Sequence, residues 1–240
     1  MKAALYQGQG KIEISTLPDP ICTDDGVVLE NIYASICGTD VAVYKHGTGL
    51  GHRITVGGEF GHEVVCRIKE KGKNVTNLSV GDRVYPYPRL VTGDKSKAGT
   101  IGGFSEYIKS PVTRNGVEVY KLSDKISDRT AVLIEPFTVG CRAARRAFPR
   151  QGENAIVFGA GTIGIGAAIA LKHFGCEKVM ICDYSDFRLE IARRLGFEVC
   201  NNSKEDLNLK AQAYFGQGYG YKGQTSAADI YIDAAGSDSI

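Results

Sequence analysis

Residues 155–171 read Ala-Ile-Val-Phe-Gly-Ala-Gly-Thr-Ile-Gly-Ile-Gly-Ala-Ala-Ile-Ala-Leu, and this stretch decides the fold. Its 17 residues are broken by Thr162 and four glycines, so it is shorter and richer in glycine than a bilayer-spanning helix requires. It reads instead as a short apolar strand, Ala155–Phe158, a turn, and a buried helix over Thr162–Phe174. The turn, Gly159-Ala160-Gly161-Thr162-Ile163-Gly164, has the form GxGxxG, weak alone and strong between a strand and a helix. Gly159 permits the tight bend, Gly161 lets the backbone approach a pyrophosphate, and Gly164 lets the helix pack closely on the strand. The anion then faces free N–H groups at the helix start, those of Thr162 and Ile163 among them. Asp183 ends the next strand, 19 residues beyond Gly164, where a carboxylate accepts hydrogen bonds from adenosine-ribose hydroxyls and repels a 2′-phosphate. NAD is therefore expected over NADP, and Arg188, five residues on, works against that preference. The alternative is that the glycines serve packing alone and Asp183 caps the helix beginning at Asp186.

Downstream, strands alternate with helices. Lys178–Cys182, Glu198–Cys200 and Asp229–Asp233 are strand-like, Asp186–Leu195 is helical, and the alternation predicts a parallel sheet with right-handed crossovers. Upstream, Asp128–Phe148 carries apolar residues at helical spacing, a basic end at Arg142, Arg145 and Arg146, and a stop at Pro149. Before residue 125 the texture is of short β runs: Lys2–Tyr6, Lys11–Ser15, Val27–Ile36, Glu63–Ile68, Arg83–Tyr87 and Phe104–Ile108, punctuated by Gly, Pro and Asp. The division expected is a β domain over 1–148 and a doubly wound α/β domain over 149–240 that stops after four strands.

Composition bounds the function. The 240 residues are 43% apolar and 23% charged, with 29 basic against 27 acidic side chains, the balance of a globular protein large enough for a real core. A net charge of +2 argues against a broad nucleic-acid or anionic-membrane surface and favours small-molecule partners. Seven scattered cysteines and no secretory segment lead us to expect reduced thiols and a cytoplasmic protein.

The β half holds Cys37-Gly38-Thr39-Asp40 and, 25 residues after Cys37, Gly61-His62-Glu63. Thiolate, imidazole and carboxylate form the ligand set of a catalytic zinc, which takes three protein ligands and leaves a position for water or substrate. Glu135, in Ile134-Glu135-Pro136, is a further acidic candidate. On composition alone Cys37 can equally be a buried inert thiol and His62 a core histidine.

Taken together, Cys-Gly-Thr-Asp at 37–40, Gly-His-Glu at 61–63 followed by Gly72, Gly-Asp-Arg-Val at 81–84, Glu-Pro at 135–136 and the 159–164 turn with Asp183 and Arg188 resemble the zinc-dependent medium-chain alcohol dehydrogenases. The likeness runs over nearly the whole chain and is strongest to the sorbitol and polyol branch. It implies a GroES-like β-barrel domain bearing one catalytic zinc, followed by a Rossmann domain, here incomplete at its C-terminal end. Cys37 and His62 would ligate zinc, and Glu63 and Glu135 would share the remaining ligand duty, one directly and one through water or by exchange. Asp40 would hydrogen-bond the ligand histidine, and Thr39 would relay the substrate proton. The implied reaction is hydride transfer between the carbinol carbon of a polyol or other secondary alcohol and NAD, in a homo-oligomer. Sugar alcohols, cyclitols, vicinal diols and 3-hydroxy amino acids all fit. A zinc-free quinone or enone reductase of the same fold and a truncated, non-catalytic NAD- and zinc-binding protein are the alternatives.

Four departures from the family pattern stand out. No cysteine lies between Cys66 and Cys141, which removes the second, structural zinc held by four close cysteines in many relatives, and the loop 88–102 is short to match. Ala42 takes a position where polyol relatives often carry histidine, and Cys66 replaces a usual glycine. The chain ends where relatives run on for roughly another hundred residues, so a C-terminally truncated form is expected.

Overall fold

The computed structural model describes residues 1–50, 54–221 and 223–236, and its chain falls into two compact units, Met1–Glu135 and Pro136–Ile240. A boundary at 148/149 follows the sequence texture; the units part thirteen residues earlier because the intervening helix packs with the second.

The first unit contains β1 (Lys2–Tyr6), β2 (Ile12–Thr16), β3 (Val27–Ser35), α1 (Gly38–His46), β4 (Gly58–Glu59), β5 (Glu63–Lys71), β6 (Arg83–Pro86), β7 (Tyr107–Ser110), β8 (Val119–Lys121) and α2 (Asp128–Ala131). Strands β2-β1-β4 form one antiparallel sheet and β7-β3-β5-β6-β8 another, joined by a bridge between Ala3 and Ser105. Val27, Leu29, Val64, Cys66, Ile68, Val84 and Ile108 fill its main core, and Ala4, Tyr6, Val43 and Phe60 a smaller one. The strand expected at 104–108 lies at Tyr107–Ser110, because the Phe104 backbone crosses to Phe60 and Ala4 while its ring stands edge-on to Phe60.

The helical pattern read from Asp128 to Phe148 is two helices, α2 and α3 (Ile134–Arg146), separated at Val132 and Leu133. Pro136 supplies the reason. In one continuous helix its ring would strike the carbonyl of Val132 and its missing N–H would break the ladder, whereas in the first turn of a new helix neither matters.

The second unit continues with β9 (Asn154–Phe158), α4 (Thr162–His173), β10 (Lys178–Asp183), α5 (Asp186–Arg194), β11 (Glu198–Asn201), α6 (Leu207–Phe215), β12 (Gln217–Gly220), β13 (Gly223–Ser226) and β14 (Ile230–Asp233). The parallel sheet has the order β11-β10-β9-β14, with the first strand central and the chain reversing direction of growth after the third. Period-two alternation splits its side chains. Ala155, Val157, Ile181, Val199 and Ile232 pack with Ala168 and Leu171 of α4 and Leu189 of α5, while Ile156, Met180, Cys182 and Cys200 pack with Ala211 and Phe215 of α6. The sheet is thus covered on both faces, which is why its strands read as unbroken apolar runs. Among the described residues, no helix is long and apolar enough to cross a membrane.

Candidate metal centre and dinucleotide turn

Strand register brings the two halves of the metal constellation together. β3 pairs antiparallel with β5 and ends at Ser35, whose cross-strand partner is Glu63, the first residue of β5. Cys37 follows two residues beyond Ser35 and His62 stands one residue before Glu63, so the ladder sets both at the same end of the sheet. Cys37 is the N-cap of α1, in extended conformation, and its N–H donates to Asp40 Oδ2 at 2.9 Å. His62 is aimed by Gly61, whose φ of +88° and close approach to the Phe104 ring admit no side chain: a Cβ there would stand 2.8 Å from that ring.

One donor atom each from Cys37, His62 and Glu63 lies within 4.8 Å of the others. Atoms bound to a common zinc at about 2.0–2.3 Å stand roughly 3.5 Å apart, so the set closes on an ion by side-chain movements of about 1 Å. The chemistry fits as well. His62 Nδ1 is buried without a hydrogen-bond partner, and Asp40 Oδ1 lies 3.8 Å from it, an ion-pair distance rather than a hydrogen bond. Burial pushes the Cys37 thiol up to about 11, with Glu63 adding to the rise and hydrogen bonds from Thr39 opposing it. A cation supplies what this neutral thiol and these carboxylates lack. Glu63 is buried and accepts a hydrogen bond from Ser35 Oγ. Glu135, in the first turn of α3, stands outside the three-donor set; burial first, then the charges of Glu63 and Asp40, hold its carboxyl above the ordinary range, against the pull of His62. Thr39 is exposed in the first turn of α1, Ala42 presents no titratable group one turn on, and Cys66 is buried with its Sγ 2.9 Å from Asn31 Oδ1.

In the second unit the turn has the geometry its glycines require. Gly159 adopts φ +98°, and a Cβ on it would lie 2.7 Å from the Ala234 carbonyl oxygen. A Cβ on Gly164 would fall 1.8 Å from Gly159 O, so the first turn of α4 lies directly against the loop. A Cβ on Gly161, the N-cap of α4, would meet nothing within 4 Å, so the loop has open space at the helix start, where the first N–H groups lack intrahelical partners. Asp183 Oδ2 accepts from Ala160 N at 2.8 Å and Oδ1 from Ser185 N at 2.8 Å. The cap of α5 is Ser185, whose side chain accepts from Arg188 N; Asp183 instead ties the end of β10 to the turn. Arg188 Nη1 is 3.8 Å from Asp183 Oδ2 and its side chain is 57% exposed, so the cation sits beside the carboxylate expected to read the ribose. Ala160 and Ser35 are the site residues that motif reading misses. The first acts through a backbone N–H, and the second through a register that spacing alone does not reveal.

Comparison with known proteins identifies the family of both units. Residues 23–124 match the family model of the alcohol dehydrogenase GroES-like domain, and residues 162–240 that of the zinc-binding dehydrogenases. The chain is 32% identical over 222 residues to an L-threonine 3-dehydrogenase of Marinomonas, covering 85% of this chain and 63% of that protein. It is 32% identical to a sorbitol dehydrogenase of Bacillus subtilis, with 85% and 62% covered, so it spans about three-fifths of the length of these curated relatives. Among solved structures, an Escherichia coli protein described as a short chain alcohol dehydrogenase, complexed with the cofactor NADH, is 28% identical at TM-score 0.77, covering 98% of this chain and 69% of that one. With both domain models matched in order and the cysteine, histidine and glutamate donors gathered at one strand end, the chain belongs to the zinc-dependent medium-chain dehydrogenase family.

Proposed function

We propose that this chain carries the zinc and dinucleotide sites of an NAD-linked dehydrogenase of polyols or other secondary alcohols. The observation that carries the reading is the convergence of one donor atom each from Cys37, His62 and Glu63 within 4.8 Å of one another. Bound zinc supplies Lewis acidity to a substrate hydroxyl, and bound NAD supplies the hydride acceptor. The protein's own groups do the rest. Cys37 and His62 would hold the metal with Glu63 as the third ligand, and Glu135, kept outside that set and held above the ordinary carboxyl range, would share the remaining ligand duty by exchange with Glu63. Asp40 lies close enough to His62 Nδ1 to fix its tautomer after a small approach. Thr39, exposed beside Cys37, carries the substrate proton outward, and Ala42 offers no titratable group one turn on. The Gly161 N-cap leaves room for the pyrophosphate, and Asp183 reads the ribose with a preference for NAD that Arg188 moderates. The matching relatives, a sorbitol and a threonine dehydrogenase, support an alcohol with a neighbouring polar substituent. Seven free cysteines favour a reducing, cytoplasmic setting, and a homo-oligomer is the assembly we expect.

Zinc content by metal analysis and NAD reduction across a panel of polyols and 3-hydroxy amino acids test this reading. Stoichiometric zinc is expected, together with turnover that chelation abolishes. In His62→Ala, zinc and turnover should vanish while NAD binding persists; a variant that loses NAD binding too would point to a structural metal instead. Turnover indifferent to chelation would favour the zinc-free reductase.

A further inference from the structure

The side chain nearest in register to the metal cluster belongs to Ser35. It is the last residue of β3 and the direct cross-strand partner of Glu63, the first of β5, so the two side chains leave the sheet on the same face at a paired position. Ser35 Oγ donates to Glu63 Oε2. Glu63 is only 5% exposed, and the carboxyls of Asp40 and Glu135 stand in the same neighbourhood, so its orientation needs a donor rather than solvent.

We propose that Ser35 is a positioning residue for the metal centre. Its hydroxyl engages Oε2 of Glu63 and leaves Oε1 for a divalent cation, which makes Glu63 a single-oxygen ligand held in one rotamer. A serine has one O–H to give, and here it is directed at the carboxylate. Partners of this kind, which orient a ligand without touching the metal, typically change metal affinity by about 10–100-fold when removed. The inference rests on the reading of Cys37, His62 and Glu63 as metal ligands, and it adds a residue that neither motif spacing nor the donor cluster identifies.

The experiment compares the full 240-residue chain with Ser35→Ala and Ser35→Thr. Zinc affinity is measured by competition with a chromophoric chelator, the ligand-field absorption of the cobalt(II)-loaded protein is recorded, and metal-free thermal unfolding serves as the control for folding. Ser35→Ala should bind zinc about 10–100-fold more weakly and alter the cobalt spectrum while unfolding near the wild-type midpoint. Ser35→Thr, which keeps the hydroxyl, should retain both affinity and spectrum. Should Ser35→Ala fail to fold, Ser35→Val set against Ser35→Thr makes the same comparison between side chains of equal shape that differ in the hydroxyl. Equal zinc affinity and spectra in wild type and Ser35→Ala, or a Thr variant as weak as the Ala or Val one, would overturn the role of Ser35 and leave the metal site standing. A wild-type chain that binds no zinc would overturn the metal reading itself.

Discussion

Gly161 and Gly164 lie three residues apart in one turn and do different work. A Cβ at Gly164 would sit 1.8 Å from Gly159 O, a contact that no side-chain rotation relieves, so Gly164→Ala must shift backbone at a cost of several kcal/mol, above the ~1–3 kcal/mol of ordinary overpacking. At Gly161 a Cβ meets nothing within 4 Å and φ is −76°, so Gly161→Ala should leave stability within about 0.5 kcal/mol while its methyl takes the space a pyrophosphate needs. Urea unfolding with nucleotide titration checks both: the first variant should lose fold and NAD together, the second at least tenfold in NAD affinity with its unfolding midpoint kept. Equal NAD affinity in Gly161→Ala and wild type would remove Gly161 from the binding site. The close approach at Gly164 was legible in the sequence because it follows from neighbours within six residues. The Ser35 contact was not, since it depends on which residue of β5 faces which residue of β3, and that register is set by burying one face of a sheet rather than by local spacing.

The elements the sequence hid are those whose local preferences were mixed. α1 (Gly38–His46) carries Val41, Val43 and Tyr44, residues that suit strands, and it forms because Asp40 caps the N–H of Cys37 and Val43 buries in the small core. α6 carried a readable signal, Leu207, Ala211 and Phe215 at helical spacing after Asp206, obscured by the Gly- and Tyr-rich stretch that follows. Asp206 accepts from Leu209 N at 2.9 Å, so Asp206→Ala should cost ~1 kcal/mol, readable as a lower urea midpoint. Ahead of β8, Glu118 accepts from Arg114 N at 2.8 Å and from its Nε at 3.1 Å. The Arg114 side-chain hydrogen bonds, aided by backbone N–H groups, hold the Glu118 carboxyl below its ordinary value of 4.5. A carboxyl depressed in the folded state stabilises the fold in full above that ordinary value and loses the contribution as pH falls through the lowered one. Glu118→Gln should therefore lower the unfolding midpoint at pH 7, and the difference from wild type should close in acid. A gap unchanged at pH 3 would show that the charge is not responsible.

At the scale of the molecule, two compact units carry the two proposed sites, and each ligand should stabilise the unit proposed to hold it. Binding to the native state alone adds about 2.7 kcal/mol at a ligand concentration of 100 times Kd. In hydrogen exchange, zinc should therefore slow exchange across β3, α1 and the start of β5, and NAD across β9, the turn, α4 and the end of β10. Protection of α4 by zinc alone would contradict this assignment. The sequence by itself determined the second unit's architecture and both motif sets, because an apolar run of that length, a glycine turn and a carboxylate at fixed spacing are local consequences of backbone sterics. Only the tertiary structure decided that the Glu63 carboxylate lies beside the Cys37 and His62 donors, that Asp183 binds the turn through Ala160 N, and that the units part within the first turn of α3. Each of these depends on which distant segments share a buried face, a choice made by the packing of the whole unit and written in no single stretch of chain.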